Sequence, residues 1–98
     1  MIRHIVLFSA KDPAEVETIR AALAKLGAIP HARRLEVALN AKRDSLSSEA
    51  DIVVYGEFDD LAQLDAYKAH PLYAEAIALV RPRRELRIAA DHEVPPPR

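Results

Sequence analysis

Four histidines, three tyrosines and the closing run Asp91-His92-Glu93 hold most of the acid–base chemistry open to this 98-residue chain. His4 has an ordinary pKa near neutrality, which suits a general acid or base. Tyr67 and Tyr73 carry hydroxyls able to donate to a carbonyl or phenol oxygen, and His70 follows Tyr67 by one helical turn. The first reading is a small-molecule-binding protein of unassigned reaction; the alternative is a cofactor-independent enzyme on a phenolic or β-keto substrate, with His4, Tyr67 and Tyr73 as candidate catalytic residues. The structural alternative makes His4 a satisfied core histidine and the tyrosines core residues with wet hydroxyls. His70 precedes Pro71, so it also has the option of bonding backbone carbonyls freed by a helix break. His4 together with Asp91, His92 and Glu93 offers two imidazoles and carboxylates if the first and last strands pair antiparallel, against the alternative of a solvated strand end. No metal site is assigned on that basis.

Composition narrows the classes. The chain has no cysteine, which excludes disulfides and thiol catalysis and is compatible with a reducing cytoplasm, the compartment expected for it. Fourteen basic against fifteen acidic side chains leave a net charge of −1, so no broad positive field attracts nucleic acid or an anionic membrane. Arg33-Arg34 and Arg81, Arg83, Arg84 and Arg87 form local basic clusters, read either as carboxylate or phosphate forks or as surface partners of the acids. No signal peptide is read at the N-terminus, and no apolar run approaches the ~20 residues of a membrane span. No motif calls for haem, flavin or another cofactor, and none is expected.

The elements that must position these residues follow from periodicity. Ile2 through Phe8 alternates as a strand. Asp12, Pro13 and Glu15 open a helix with a capping box, Val16, Ile19, Leu23 and Leu26 share one face, and Gly27 is its stop signal. A strand is expected around Leu35, Val37 and Leu39, then a polar loop from Asn40 to Ala50, then a strand from Ile52 to Phe58 whose Gly56 allows a ligand or side chain near the backbone. Asp60 and Gln63 cap a helix carrying Leu61, Leu64 and Tyr67 that breaks at His70-Pro71. A second helical piece carries Tyr73, Ile77 and Val80 and ends at Arg81-Pro82. Glu85 to Val94 reads as the last strand, before a short proline-rich tail over residues 95–98, which leaves one domain over 1–94.

The order is βαββαβ, an α+β ferredoxin-like arrangement with a four-stranded antiparallel sheet of order 4-1-3-2. Right-handed crossovers place both helical layers on one face. The central strands are nevertheless apolar on both faces: Val6, Phe8, Val54, Phe58 and Ile88 on one, and Ile5, Leu7, Val53, Tyr55 and Ala89 on the other. An uncovered apolar face predicts a partner, most simply a second copy packed sheet to sheet. His4 stands about 7 Å into its strand and Tyr67 about 9 Å into its helix, so the two meet across a small apolar pocket for a small-molecule ligand. Val6, Phe8, Val54 and Phe58 from the sheet, with Leu64, His70 and Ile77 from the helices, are expected to line it.

Taken in order, Arg3-His4-Ile5-Val6-Leu7-Phe8, Leu35-Glu36-Val37, Val54 through Asp59, Leu61 through Pro71, Val80-Arg81-Pro82 and Asp91-His92-Glu93-Val94 resemble the stress-responsive dimeric α/β-barrel (Dabb) family across nearly the whole chain. The resemblance implies a homodimer in which two four-stranded sheets form a barrel, within a family that includes both enzymes and proteins of no known reaction. Related dimeric barrels include oxygenases that need no cofactor. In a polyketide-cyclase branch of the family, a helix tyrosine and a first-strand histidine correspond to Tyr67 and His4. Tyr73 stands where that branch has its main catalytic histidine, and a strand-three histidine is replaced near Ile52, which separates this chain from the cyclase reaction.

Overall fold

The computed structural model describes residues 1–95, so the expected tail beyond Pro95 lies outside the described residues. Four strands, β1 (Ile2–Ala10), β2 (Arg34–Leu39), β3 (Ile52–Phe58) and β4 (Arg84–Glu93), form one antiparallel sheet in the order β2-β3-β1-β4. Three helices, α1 (Val16–Ala24), α2 (Leu61–Ala69) and α3 (Pro71–Val80), supply the helical layer. This is the expected ferredoxin-like fold. Among the described residues no helix is long and apolar enough to cross a membrane.

Local sequence explains the helix boundaries, with two departures. The Asp12 side chain accepts from the Ala14 N–H and Pro13 opens the first turn, but that turn is 3-10 over Pro13–Glu15 before α1 begins. Gly27 does not end the helix in a left-handed conformation. It sits in a second 3-10 turn, Lys25–Ala28, and no glycine has a positive φ. Asp60 caps α2 through the Gln63 N–H at 2.9 Å, as its spacing demands. His70 is extended at φ −68°, ψ 142°, the conformation favoured before proline, and its Nδ1 accepts from the Leu72 N–H at 3.1 Å. It is therefore the N-cap of α3, satisfying an orphan amide rather than the freed carbonyls the sequence suggested. The connection after β2 is tied at its base: the Asn40 side chain donates to the Ala50 carbonyl at 2.7 Å, and Lys42 pairs with Asp51 at 2.6 Å.

Ile2, His4, Val6 and Phe8 of β1 and Ile52, Val54 and Phe58 of β3 face the helices, and they join Ile19, Leu23, Leu26, Leu64, Tyr67, Ala76 and Val80 in the buried core. Ile5, Leu7, Val53 and Tyr55 lie on the opposite, open face. The β4 register corrects one expected pair. Leu7 is opposite Ile88 and Val6 opposite Ala89, so Ile88 belongs to the open face and Ala89 to the helix face. Counting alternation inside β4 alone cannot reveal which face a residue joins, because a one-residue slip exchanges them all.

Gly56 lies opposite His4 in the ladder. A Cβ built there would stand 2.8 Å from the ring of Phe58 and 3.3 Å from Leu35 Cδ1. Phe58 is fully buried, so its ring has no free space into which to retreat. The close approach foreseen at Gly56 is thus made by a core side chain. Gly56→Ala is expected to lower stability by about 1–3 kcal/mol through overpacking, read as a drop in urea midpoint at unchanged m-value.

Candidate active site

His4 enters the protein interior from the middle of the sheet and is only 1% exposed. On one side its Nδ1 meets the Asp91 carboxylate, which projects from the β4 residue directly opposite. On the other sides it touches aromatic edges: Phe58 and Tyr67 both lie with ring centroids 6.2 Å away in T-shaped contacts. Tyr67 in turn packs edge-on against Phe58 at 5.0 Å and Tyr73 at 5.3 Å. The chain therefore brings together His4, Tyr67 and Tyr73, and adds Asp91 as a direct partner of the histidine.

The Asp91 contact determines which nitrogen carries the proton. A carboxylate only accepts, so Nδ1–H donates to Asp91 and Nε2 of the neutral ring keeps its lone pair. Burial depresses the His4 pKa below its ordinary 6.5, Asp91 opposes that through its hydrogen bond and charge, and Lys68 and Arg87 reinforce it. Burial wins, so His4 is the free base at neutral pH. Tyr67 is driven the other way: burial, then the neighbouring Tyr73, raise its pKa far above the ordinary phenol range, with Arg87 opposing. It remains a protonated donor. Base, donor and orienting carboxylate thus have separate roles set by their surroundings.

This ionisation has a measurable consequence for folding. Between pH 6.5 and the depressed folded value, the unfolded chain takes up a proton at residue 4 that the folded chain refuses. Stability from this group is full above about pH 6.5 and is lost as pH falls through the folded pKa. His4→Gln, which does not titrate, is expected to flatten the decline in urea midpoint between pH 7 and pH 5. A decline as steep as in the unaltered chain would remove His4 as its source.

A cavity of ≈ 10 Å³, room for about one water, lies beside these groups. His4, Val6, Phe8, Val54, Tyr67, Tyr73 and Ile77 line it together with Leu23 and Leu26 of the α1 region and Arg87 of β4. Phe58, Leu64 and His70 do not line it: the first two are packed into the core, and His70 caps α3. Arg87 places Nη2 3.4 Å from the Tyr73 hydroxyl, and both side chains are half-buried at the cavity mouth.

The metal alternative fails on register. His92 is opposite Arg3, not His4, so strand alternation sends its side chain to the open face while Asp91 faces the helices. Among the described residues no group of three or more histidines, cysteines and carboxylates is arranged to hold a metal ion. Asp91 was visible in the sequence only as part of that cluster. The signal for its real role was the antiparallel pairing of the first strand's start with the last strand's end.

Residues 2–94 match the family model of the Stress responsive A/B Barrel Domain. Among solved structures, a dimeric ferredoxin-like protein of unknown function from Thermobifida fusca is 30% identical, with 95% of this chain and 90% of that one covered at a TM-score of 0.80. A dimeric protein of unknown function from Bacteroides fragilis is 27% identical over 95% of each chain, with a TM-score of 0.79. A Dabb family protein from Mesorhizobium loti is 28% identical, covering 98% and 97% of the two chains at 0.72. No curated protein sequence matches the chain.

Proposed function

The chain belongs to the stress-responsive A/B barrel (Dabb) family, and from that premise we propose a cytoplasmic homodimer that binds a small phenolic or β-keto compound beside His4 and moves a proton on it without a cofactor. The observation that carries this reading is the buried His4, hydrogen-bonded to the partly exposed Asp91 and facing Tyr67. His4 Nε2 removes a proton from the carbon next to a carbonyl. The electron pair of that C–H bond moves into an enolate whose oxygen accepts a hydrogen bond from the Tyr67 hydroxyl, and Asp91 stabilises the imidazolium that results. The proton then returns to the same or a conjugated carbon, so no oxidant or other reactant is needed. The cavity holds about one water, so a ligand takes its place by displacing the half-buried Tyr73 and Arg87 side chains.

The test is deuterium exchange at the acidic carbon of small β-keto acids and hydroxyaromatic ketones, followed by NMR, after a thermal-shift screen has picked the compounds that raise the midpoint. Catalysed exchange that His4→Ala abolishes supports the proposal. Binding without exchange favours a second reading, a ligand-binding protein with no turnover, for which the observation in favour is the mostly apolar lining of the cavity.

The dimer is supported by two features besides the dimeric relatives. Ile5, Leu7, Val53 and Tyr55 lie on the open face with Ile88, which is 52% exposed. On the same face Arg3 Nε is buried without a hydrogen-bond partner among the described residues, while Glu57, opposite it, accepts from the Tyr55 hydroxyl at 2.6 Å. An acceptor from a second chain would remove that cost. Light scattering at micromolar concentration is expected to give twice the 10.9 kDa chain mass.

A further inference from the structure

Beside the His4 cavity, a groove of ≈ 410 Å³ runs between α3 and β4, lined by Arg81, Arg84 and Arg87 with Tyr73 and Ile77. Tyr73, Ile77 and Arg87 also line the cavity, so the two spaces share a wall. We propose that this groove is an oxyanion site, holding the carboxylate or phosphate of a small ligand whose apolar part reaches the His4 cavity. That the anion belongs to the molecule acted on at His4 rests on the proton-transfer reading; the anion site itself does not.

A strand break makes this convergence. Arg84 and Arg87 are three residues apart, and an unbroken strand would send them to opposite faces. The β1–β4 register shifts between Phe8 and Ala10: Phe8 pairs with Arg87 and Ala10 with Arg84, so β4 carries one extra residue there. Ser9 stabilises the irregularity by accepting the Leu86 N–H on its hydroxyl at 3.0 Å. Phe8 and Ala10 share the helix-facing side, and their two arginine partners do so too. Bulges that re-aim side chains beside a site are a recurrent use of the device.

The charge is uncompensated. Arg83, between Arg81 and Arg84 in sequence, pairs with Glu15 and the Leu79 carbonyl, and Arg33 and Arg34 pair with Asp59 and Glu36. Arg81, Arg84 and Arg87 have no acidic partner within salt-bridge distance among the described residues. Partial burial, then the like charges of Arg87 and Arg81, weaken the hold of Arg84 on its proton. Three guanidiniums gathered at one concave place, in a chain whose net charge is −1, match the planar fork that binds carboxylate or phosphate. An anion there relieves their mutual repulsion.

Calorimetric titration with benzoate, phenyl phosphate and phenol, at low and at physiological salt, tests the site. The unaltered protein is expected to bind at least one of the two anions about tenfold or more tightly than phenol, less so as salt rises, and the tighter of them identifies the headgroup. The double substitution Arg81→Gln, Arg84→Gln is expected to remove that preference and leave phenol affinity within about twofold. His4→Ala is expected to keep the anion preference, and an unaltered protein that shows this preference but catalyses no exchange overturns the reaction and not the groove. Equal affinity for phenol and both anions, or an anion preference that survives the double substitution, overturns the groove.

Discussion

Asp91→Asn is expected to reduce proton transfer at His4 by about 10²–10⁴-fold while the fold and ligand affinity persist. The asparagine oxygen still accepts from Nδ1–H, so the ring keeps its place, but the negative charge that stabilises the imidazolium is gone. The same substitution removes the Asp91 charge that helps to raise the His4 pKa, leaving burial, Lys68 and Arg87 less opposed in depressing it. The acid limb of the rate profile, already below pH 6.5 because His4 must be neutral to act, moves further down. Rate falls while the active pH range widens on the acid side, a combination that simple damage does not produce. Titration of the His4 ring protons by NMR reads the same shift without turnover. If Asp91→Asn leaves both the exchange rate and the His4 titration unchanged, Asp91 does not orient a catalytic base. Tyr67→Phe provides the complement: loss of the oxyanion donor lowers the rate, with the acid limb staying near its original place because the tyrosine is uncharged throughout.

Leu7→Asp is expected to convert the proposed dimer to a monomer that remains folded. Leu7 stands on the central strand of the open face, opposite Val53 on one side and Ile88 on the other. In an isologous interface each substitution occurs twice about the two-fold axis, so two carboxylates enter the apolar contact. Unpaired buried charge costs about 3–5 kcal/mol at least, and at 1.4 kcal/mol per factor of ten the dissociation constant rises by about two orders of magnitude or more. The scattering mass then falls to the 10.9 kDa of one chain, while the circular dichroism stays the same because Leu7 is outside the helix-facing core. Ile88→Lys, at a position already half exposed in the single chain, is the milder companion, and its monomer is expected to retain the unaltered chain's unfolding midpoint per protomer more closely. A Leu7→Asp protein that keeps twice the chain mass removes the open face from the interface.

Local signals were enough for most of the architecture. The Asp60–Gln63 cap, the break at His70-Pro71 and the alternation of Ile2–Phe8 and Ile52–Phe58 each rest on groups within a few residues of one another, and all appear in the fold. The misreadings were local as well: Gly27 has no positive φ to adopt, and His70 accepts an amide where a donor to carbonyls was expected. For the site, the sequence named His4, Tyr67 and Tyr73 and the faces that bring them together, because a strand period of two and a helical turn can be counted along the chain. It named Asp91 with the wrong companions and left the arginines as local clusters, read either as anion forks or as surface partners of the acids.

What alternation, caps and breakers determined was the order of elements, the helix-facing side of β1 and β3, and the meeting of His4 with Tyr67. What only the tertiary structure decided was the register of β4 against β1, a pairing between residues 87 apart in sequence for His4 and Asp91. A one-residue slip in that pairing exchanges every side chain between faces, and an extra residue in one strand restores the phase beyond it. That register moves Ile88 to the open face, sends His92 away from His4, places Asp91 on its imidazole and turns Arg84 and Arg87 to the same side. No local pattern encodes it, because the energy that selects it comes from pairing strands that are distant along the chain.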